Sequence, residues 1–204
     1  MAIPLLDTIN LKDKTVTADA MNTQRKLANY LEQCGAHYHF TAKDNQPTLL
    51  SDIKLFFQDR GNPDFVEITP PDHGRIETRS IWTTTELNDY LDFPNVGQAF
   101  MIQRESIDKK TRKFSCEFAY GITSQTPNQA DPKCVLATNR GHWAIENSCH
   151  YILDWNFDED RSRISIGHGP ANITRLRRFA IGVIKLKGVT NSTLAISCHG
   201  CELI

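Results

Sequence analysis

Thr15-Val16-Thr17-Ala18-Asp19 and His37-Tyr38-His39-Phe40-Thr41-Ala42, with Leu27, Leu31 and Cys34 between them, decide the fold class of this 204-residue chain. The first run is small and β-branched, follows the polar Lys12-Asp13-Lys14, and reads as a short buried strand ending at Asp19. Leu27, Leu31 and Cys34 stand at i, i+4 and i+7, so a helix spans about 23–34 and Gly35 stops it. The second run reads as the next strand, and Lys43-Asp44-Asn45-Gln46-Pro47 as a turn. Thr48 then opens a helix over 49–58, with Leu50, Ile53, Phe56 and Phe57 facing inward. Strand, helix, strand, helix is the signature of an α/β layer with at least one parallel strand pair.

Downstream the pattern changes. Gly61-Asn62-Pro63-Asp64 and Pro70-Pro71-Asp72-His73-Gly74 read as loops. From 75 to 85 the chain alternates, with Ile76, Thr78, Ser80 and Trp82 on one face and Glu77, Arg79 and Ile81 on the other. A second strand is expected over 96–105 and a hairpin tip at Lys109-Lys110-Thr111. A third strand over 112–122 sets Phe114, Cys116, Phe118 and Tyr120 against Lys113, Ser115 and Glu117. These are antiparallel strands added beside, or inserted into, the α/β layer. Asp131-Pro132 suits N-cap and N1 of a helix reaching about 154 or 155. A last helix over 172–187 carries Leu176, Phe179, Ala180 and Val183 as its apolar stripe, and Gly188 ends it. The expected division is 1–60 as the α/β part, 61–130 as an antiparallel insertion, 131–187 as core helices and 188–204 as a divergent tail.

Composition narrows the class without naming a function. Hydrophobic residues are 40% and charged residues 23% of the chain, which is ordinary for a globular protein. A formal net charge of -1 lends no bulk support to nucleic-acid binding, so any such case rests on local clusters. No run of 18 apolar residues predicts a membrane span, and the start has neither the basic nor the long apolar part of a signal peptide. Six scattered cysteines then read as reduced thiols of a cytoplasmic protein. Cys198-His199-Gly200-Cys201 is a CxxC without a second pair, a weak zinc signal.

The chemistry-bearing residues gather at two places. Asp19 follows a buried strand at the end where α/β sheets hold their functional crevice; position alone favours the plainer reading, the cap of the next helix. His142, Glu146, His150 and Asp154 recur every fourth residue, forming one polar stripe on a helix, while Ile145, Cys149, Ile152 and Leu153 take the core side. That stripe is either a solvated face of i,i+4 pairs or a face that handles a metal or phosphate. A mononuclear zinc site on His142, Glu146 and His150 is one version, although the HExxH order of zinc peptidases is absent. Arg161 and Arg163 follow Asp158-Glu159-Asp160, where they either pair with the acids or grip a phosphate. Arg175 and Arg178 share a face near a helix start, where cations oppose the helix dipole; they serve phosphate contact or plain solubility.

Several blocks, taken in order, carry a family resemblance. They are Thr15-Val16-Thr17-Ala18-Asp19-Ala20, Lys43-Asp44-Asn45-Gln46, Asp72-His73-Gly74-Arg75-Ile76-Glu77-Thr78-Arg79, Arg140-Gly141-His142-Trp143-Ala144-Ile145-Glu146-Asn147 and Glu159-Asp160-Arg161-Ser162-Arg163. Each block is weak alone; the ordered series, covering about 3–187, resembles the H-repeat-associated group of bacterial insertion-sequence transposases. The resemblance implies an α/β, RNase H-like core of the retroviral-integrase type, carrying an inserted antiparallel β segment. It implies DDE chemistry, in which two aspartates and a glutamate hold two divalent ions, Mg²⁺ or Mn²⁺. Such ions, about 3.5–4 Å apart, activate a water or 3′-hydroxyl and stabilise the leaving oxygen of an in-line displacement. Asp19 matches the second aspartate and Glu146 the glutamate. His142 stands where some related transposases place an arginine. DNA is the implied partner, with Arg75, Arg79, Arg140, His142, Arg161, Arg163, Arg175 and Arg178 as candidate contacts.

Three departures qualify this reading. The first aspartate of such cores lies on an earlier strand, and neither Asp7 nor Asp13 follows a strand of that kind. A lysine often found seven residues after the glutamate is replaced by Leu153, and the tail beyond Lys187 leaves the family pattern. The expectation is therefore a core truncated at its N-terminus and inactive alone, or a DNA-binding or regulatory remnant. Its incomplete sheet edge would favour self-association.

Overall fold

The computed structural model describes residues 3–72, 75–142 and 161–186. The chain divides into two compact units, Met1–His142 and Trp143–Ile204.

In the first unit a short helix α1 (Ile3–Leu6) precedes strand β1 (Thr15–Ala18) and a 3-10 turn, Ala20–Asn22. Helix α2 (Arg25–Gln33), strand β2 (His37–Ala42) and helix α3 (Pro47–Phe57) follow. Strands β3 (Phe65–Asp72), β4 (Arg75–Thr84), β5 (Gln98–Asp108) and β6 (Phe114–Thr123) lead into helix α4 (Pro132–His142). All six strands form one sheet in the order β1-β2-β6-β5-β4-β3. β1 and β2 are parallel, with Thr17 beside His39; every other neighbouring pair is antiparallel. The α/β layer and the antiparallel strands expected from sequence thus share a single sheet.

Local chemistry explains most boundaries. Gly35 ends α2 at φ +67, while the Ala36 and Gly35 N–H groups return to the Leu31 and Glu32 carbonyls at 2.9 and 2.8 Å. This closes the helix with a residue whose left-handed backbone suits glycine. Asp131 caps α4 through the Cys134 N–H at 2.7 Å, as its Asp-Pro start predicts. α3 begins at Pro47, not after Thr48, because proline at the first helical position needs no N–H partner. The sequence reading missed the short helix α1 and, among the strands, β3. Its prolines argue against a strand, but β3 lies at the sheet edge, where a missing ladder donor is tolerated.

The two faces of the sheet bury different cores. On one, Tyr38, Phe40 and Ala42 of β2, with Trp82 and Met101, pack against Leu27, Leu31, Leu50, Ile53 and Phe57 of α2 and α3. On the other, Ile81, Phe100 and Ile102 pack against Val135 and Leu136 of α4. Phe100 lies across the sheet from Gly121, and a Cβ at Gly121 would collide with the Phe100 ring and with the Phe40 carbonyl oxygen.

The second unit is described through α5 (Gly169–Leu186). The helix starts at Gly169, so Arg175 and Arg178 lie beyond its first turn and do not oppose its dipole as the sequence suggests. Leu176 and Phe179 are exposed; the covered arc runs instead through Ile173, Thr174, Arg177, Ala180 and Ile181. The sequence offers two apolar arcs on this helix, and periodicity alone does not choose between them. The expected continuation of α4 past His142, the CxxC pair and the tail lie outside the described residues.

Gly121→Ala is expected to overpack this layer and cost about 1–3 kcal/mol or more. Urea unfolding followed by circular dichroism would show the loss as a lower midpoint at unchanged slope.

Candidate active site

Asp19 stands at the carboxyl end of β1 and is exposed. Its carboxylate caps the 3-10 turn: Oδ1 accepts from the Asn22 backbone N–H at 3.3 Å and from Asn22 Nδ2 at 3.0 Å. The cap expected for the following helix is thus made to the 3-10 turn instead, α2 itself having Gln24 at its N-cap without a side-chain cap, and it occupies one carboxylate oxygen only. The turn is braced from below. Asn45 donates to the Ala20 carbonyl, and Gln46 Nε2 donates to the Thr23 carbonyl at 3.0 Å. The buried Thr23 hydroxyl reaches the Thr41 carbonyl at 2.8 Å. Asn45 and Gln46, to which the sequence reading assigned no role, fix the loop that presents Asp19. A polar block directly after a parallel strand, at the functional end of the sheet, is the signal that could have found them.

His142 closes α4 on the same side of the sheet as Thr17. Its Nδ1 lies 3.1 Å from the Thr17 hydroxyl, two residues before Asp19. Beneath it, His39 is 2% exposed, stacks on Phe100 at a centroid distance of 4.6 Å, and places Nε2 3.4 Å from Asn139 Nδ2. Burial, and then the neighbouring His142, push the His39 imidazole down to about 3, so it is neutral at physiological pH. Thr17, His39, Asn139 and His142 thus form a polar seam that docks the last turn of α4 onto the parallel strands. Glu146, His150 and Asp154 lie outside the described residues. Among the described residues no three His, Cys, Asp or Glu side chains gather as a metal site. Asp7 follows α1 and accepts from Tyr30 at 2.6 Å, and Asp13 sits in a turn at φ +59; neither follows a strand.

The candidate DNA contacts are dispersed. Arg79 is only 15% exposed, paired with Glu77 and hydrogen-bonded to Thr69 at 3.1 Å, so it serves the sheet. Glu77 also binds Arg104 at 2.7 Å; burial would raise its carboxyl, but the hydrogen bond from Arg104 and the charge of Arg79 hold it below the usual carboxylate range. Arg140 pairs with Glu67 at 2.6 Å across the α4 side of the sheet. Arg75 is exposed at the start of β4, opposite Asp108. Arg161, Arg163, Arg175 and Arg178 belong to the second unit and are exposed there.

Comparison with known proteins gives a consistent result. The family model "Transposase DDE domain" matches residues 1–168. An uncharacterized protein of the dhlA 3′ region in Xanthobacter autotrophicus is 36% identical over 64% of this chain and 45% of its own length. "Putative transposase YncI" of Escherichia coli is 28% identical over 90% of this chain and 49% of its own. "H repeat-associated putative transposase YhhI" of Escherichia coli is 27% identical over 90% of this chain and 50% of its own. The chain spans about half the length of these curated relatives.

The buried His39 predicts a pH dependence whose sign follows from linkage. The unfolded chain takes up a proton at His39 near pH 6.5 and the folded chain only near 3. Stability is therefore whole above about pH 6.5 and falls on acidification toward 3, by at most about 1.4 kcal/mol per pH unit from this group. Denaturation midpoints measured across that window should fall in the parent and fall less steeply in His39→Gln.

Proposed function

This chain belongs to the transposase DDE domain family, and from that membership we propose that it supplies two carboxylates, Asp19 and Glu146, to a divalent-metal site for phosphoryl transfer on DNA. The observation that carries the proposal is the Thr17–His142 hydrogen bond of 3.1 Å. It ties the strand that ends at Asp19 to the helix turn that ends four residues before Glu146 in sequence.

Asp19 suits a hard cation. Both hydrogen bonds from Asn22 fall on Oδ1, which leaves Oδ2 as an exposed anionic ligand. Mg²⁺ or Mn²⁺ takes such oxygens readily, and bound there it would activate a water or 3′-hydroxyl and stabilise the leaving oxygen. The chain's own contribution is positional. Asn22 sets the carboxylate rotamer, Asn45 and Gln46 fix the loop, and the polar seam under α4 sets the approach of the helix.

The fold we propose for the intact core is RNase H-like, the architecture that family membership implies. β1 is an edge strand whose outer side pairs with no other strand among the described residues. A further strand bearing the remaining aspartate would pair there, supplied by additional sequence or by another chain. Without it two carboxylates do not complete the site, so the 204 residues alone perform no strand transfer. The exposed Arg75, Arg161, Arg163, Arg175 and Arg178 are the arginines we assign to DNA phosphates.

Calorimetric Mn²⁺ titration of the purified chain tests the carboxylate pair. Binding in the micromolar range is expected, weakened about tenfold or more by Asp19→Asn and equally by Glu146→Gln. Binding that ignores both substitutions would remove the assignment. A strand-transfer assay in Mg²⁺ should give no product with this chain alone; turnover abolished by Glu146→Gln would show that the two carboxylates suffice.

A further inference from the structure

Strands β5 and β6 run past the packed core. Ile102 is the last buried residue of β5, yet the ladder continues to the pair Ile107–Phe114. At about 3.3 Å per residue, the six residues beyond Ile102 extend roughly 20 Å, with β4 paired alongside from Arg75 to Ser80, so only the turn 109–113 stands outside the ladder. Along this arm both faces of β6 are exposed from Phe114 to Phe118.

The tip is a hydrogen-bonded cationic turn. The Arg112 N–H bonds the Asp108 carbonyl at 2.8 Å, and the Asp108 N–H bonds the Lys113 carbonyl at 3.1 Å. Arg112 adopts φ +55. The Asp108 carboxylate faces into the turn, accepting from the Lys110 and Thr111 N–H groups at 2.9 and 2.8 Å. Lys109, Lys110, Arg112 and Lys113 are all exposed, and none forms an ion pair among the described residues. The ladder behind the turn behaves oppositely: Arg79 and Arg104, which lie along the same extension, and Arg140 on α4 are each held by a glutamate. In a chain of net charge -1, four unpaired cations within five residues at the end of the β5–β6 ladder are a local device, not a reflection of bulk charge. Two backbone hydrogen bonds and one inward-facing acid would be satisfied by any polar loop, so the fold itself does not require the cations.

We propose that the β5–β6 hairpin is a DNA-contacting arm whose tip cations Lys109, Lys110, Arg112 and Lys113 engage the phosphate backbone of duplex DNA without regard to sequence. The inference rests on DNA being the substrate, as proposed above, and adds a contact surface distant from Asp19. Flexible lysines suit sequence-independent phosphate contact, because each acts as a point charge and reads no base edge. The exposed Phe114 and Ile107 at the base of the turn give the arm an apolar edge beside its charges.

The test is binding of the full 204-residue chain to a random-sequence duplex, measured by fluorescence anisotropy over a salt series. K109Q/K110Q/K113Q is compared with the charge-matched K12Q/K14Q/K26Q, whose lysines are also exposed. Thermal melts confirm that both fold like the parent. The tip variant should lose about tenfold or more in affinity at 0.1 M salt, and its log–log salt slope should shrink by about two to three, while the control variant follows the parent. A tip variant that binds like the parent, or a control that loses as much, overturns the arm and leaves the DNA-substrate reading standing. Tip-dependent binding of polyglutamate as tight as that of DNA would assign the arm to acidic proteins and also overturn it. A parent chain that binds no duplex at any salt concentration would overturn both readings together.

Discussion

Burial of β2 on both faces is the constraint from which the first unit follows. Tyr38, Phe40 and Ala42 point into the layer under α2 and α3, with Tyr38 and Phe40 stacked at 4.6 Å and Phe93 edge-on to both. His39 points the other way, under α4. A strand covered on both faces must sit inside the sheet, and β2 lies between β1 and β6 accordingly. Once β2 is central, the parallel alignment of β1 sets the position of Asp19, and the antiparallel alignment of β6 sets that of the whole β3–β6 block. Burying one aromatic side chain such as Phe40 contributes about 1.5–3 kcal/mol, so the register is held by several such contacts together.

Two buried polar side chains, Thr123 and Gln98, are committed to backbone carbonyls. The Thr123 hydroxyl donates to the Tyr38 carbonyl at 2.8 Å, and Gln98 Nε2 donates to the Gln125 and Ala130 carbonyls at 3.0 Å. The latter pair ties the start of β5 to the loop entering α4, so the helix that carries Asn139 and His142 is anchored at both ends. Unpaired, these groups would cost about 1–3 kcal/mol each, which makes the placement of α4 over β1 a requirement of hydrogen bonding as much as of apolar packing. Charged side chains divide in the same manner. Those on the sheet body neutralise one another around Glu77 and Glu67, whereas those on the β5–β6 turn do not.

Much of this was legible in the residues. The strand Thr15–Ala18, the helix closed by Gly35, the strand His37–Ala42 and the alternation of Trp82 with Ile81 each follow from local chemistry whose period or cap is unmistakable. Less legible were the elements that tertiary context overrides. Proline in β3 is acceptable only because that strand ends up at the edge, and an edge is a property of the assembled sheet. On α5 two apolar arcs compete, and the one expected to be covered, through Leu176 and Phe179, is exposed. For the candidate site, Asp19 was identifiable from its place after a strand. Its supports Asn45 and Gln46 act on backbone carbonyls 25 and 23 residues away, a relation with no periodic signature.

The sequence by itself determined the alternating and helical stretches, the turn chemistry at Gly35 and Asp131, and the ordered blocks that mark a transposase DDE domain, because these depend on residues close together in the chain. Only the tertiary structure decided that β1 through β6 form one sheet with β1 at its edge. It alone brought Thr17 to His142, and it alone paired Arg79 and Arg140 with carboxylates while leaving the Lys109–Lys113 turn unpaired. Those outcomes depend on which surfaces meet across the sheet, and the free energy of that meeting is shared among side chains far apart in sequence.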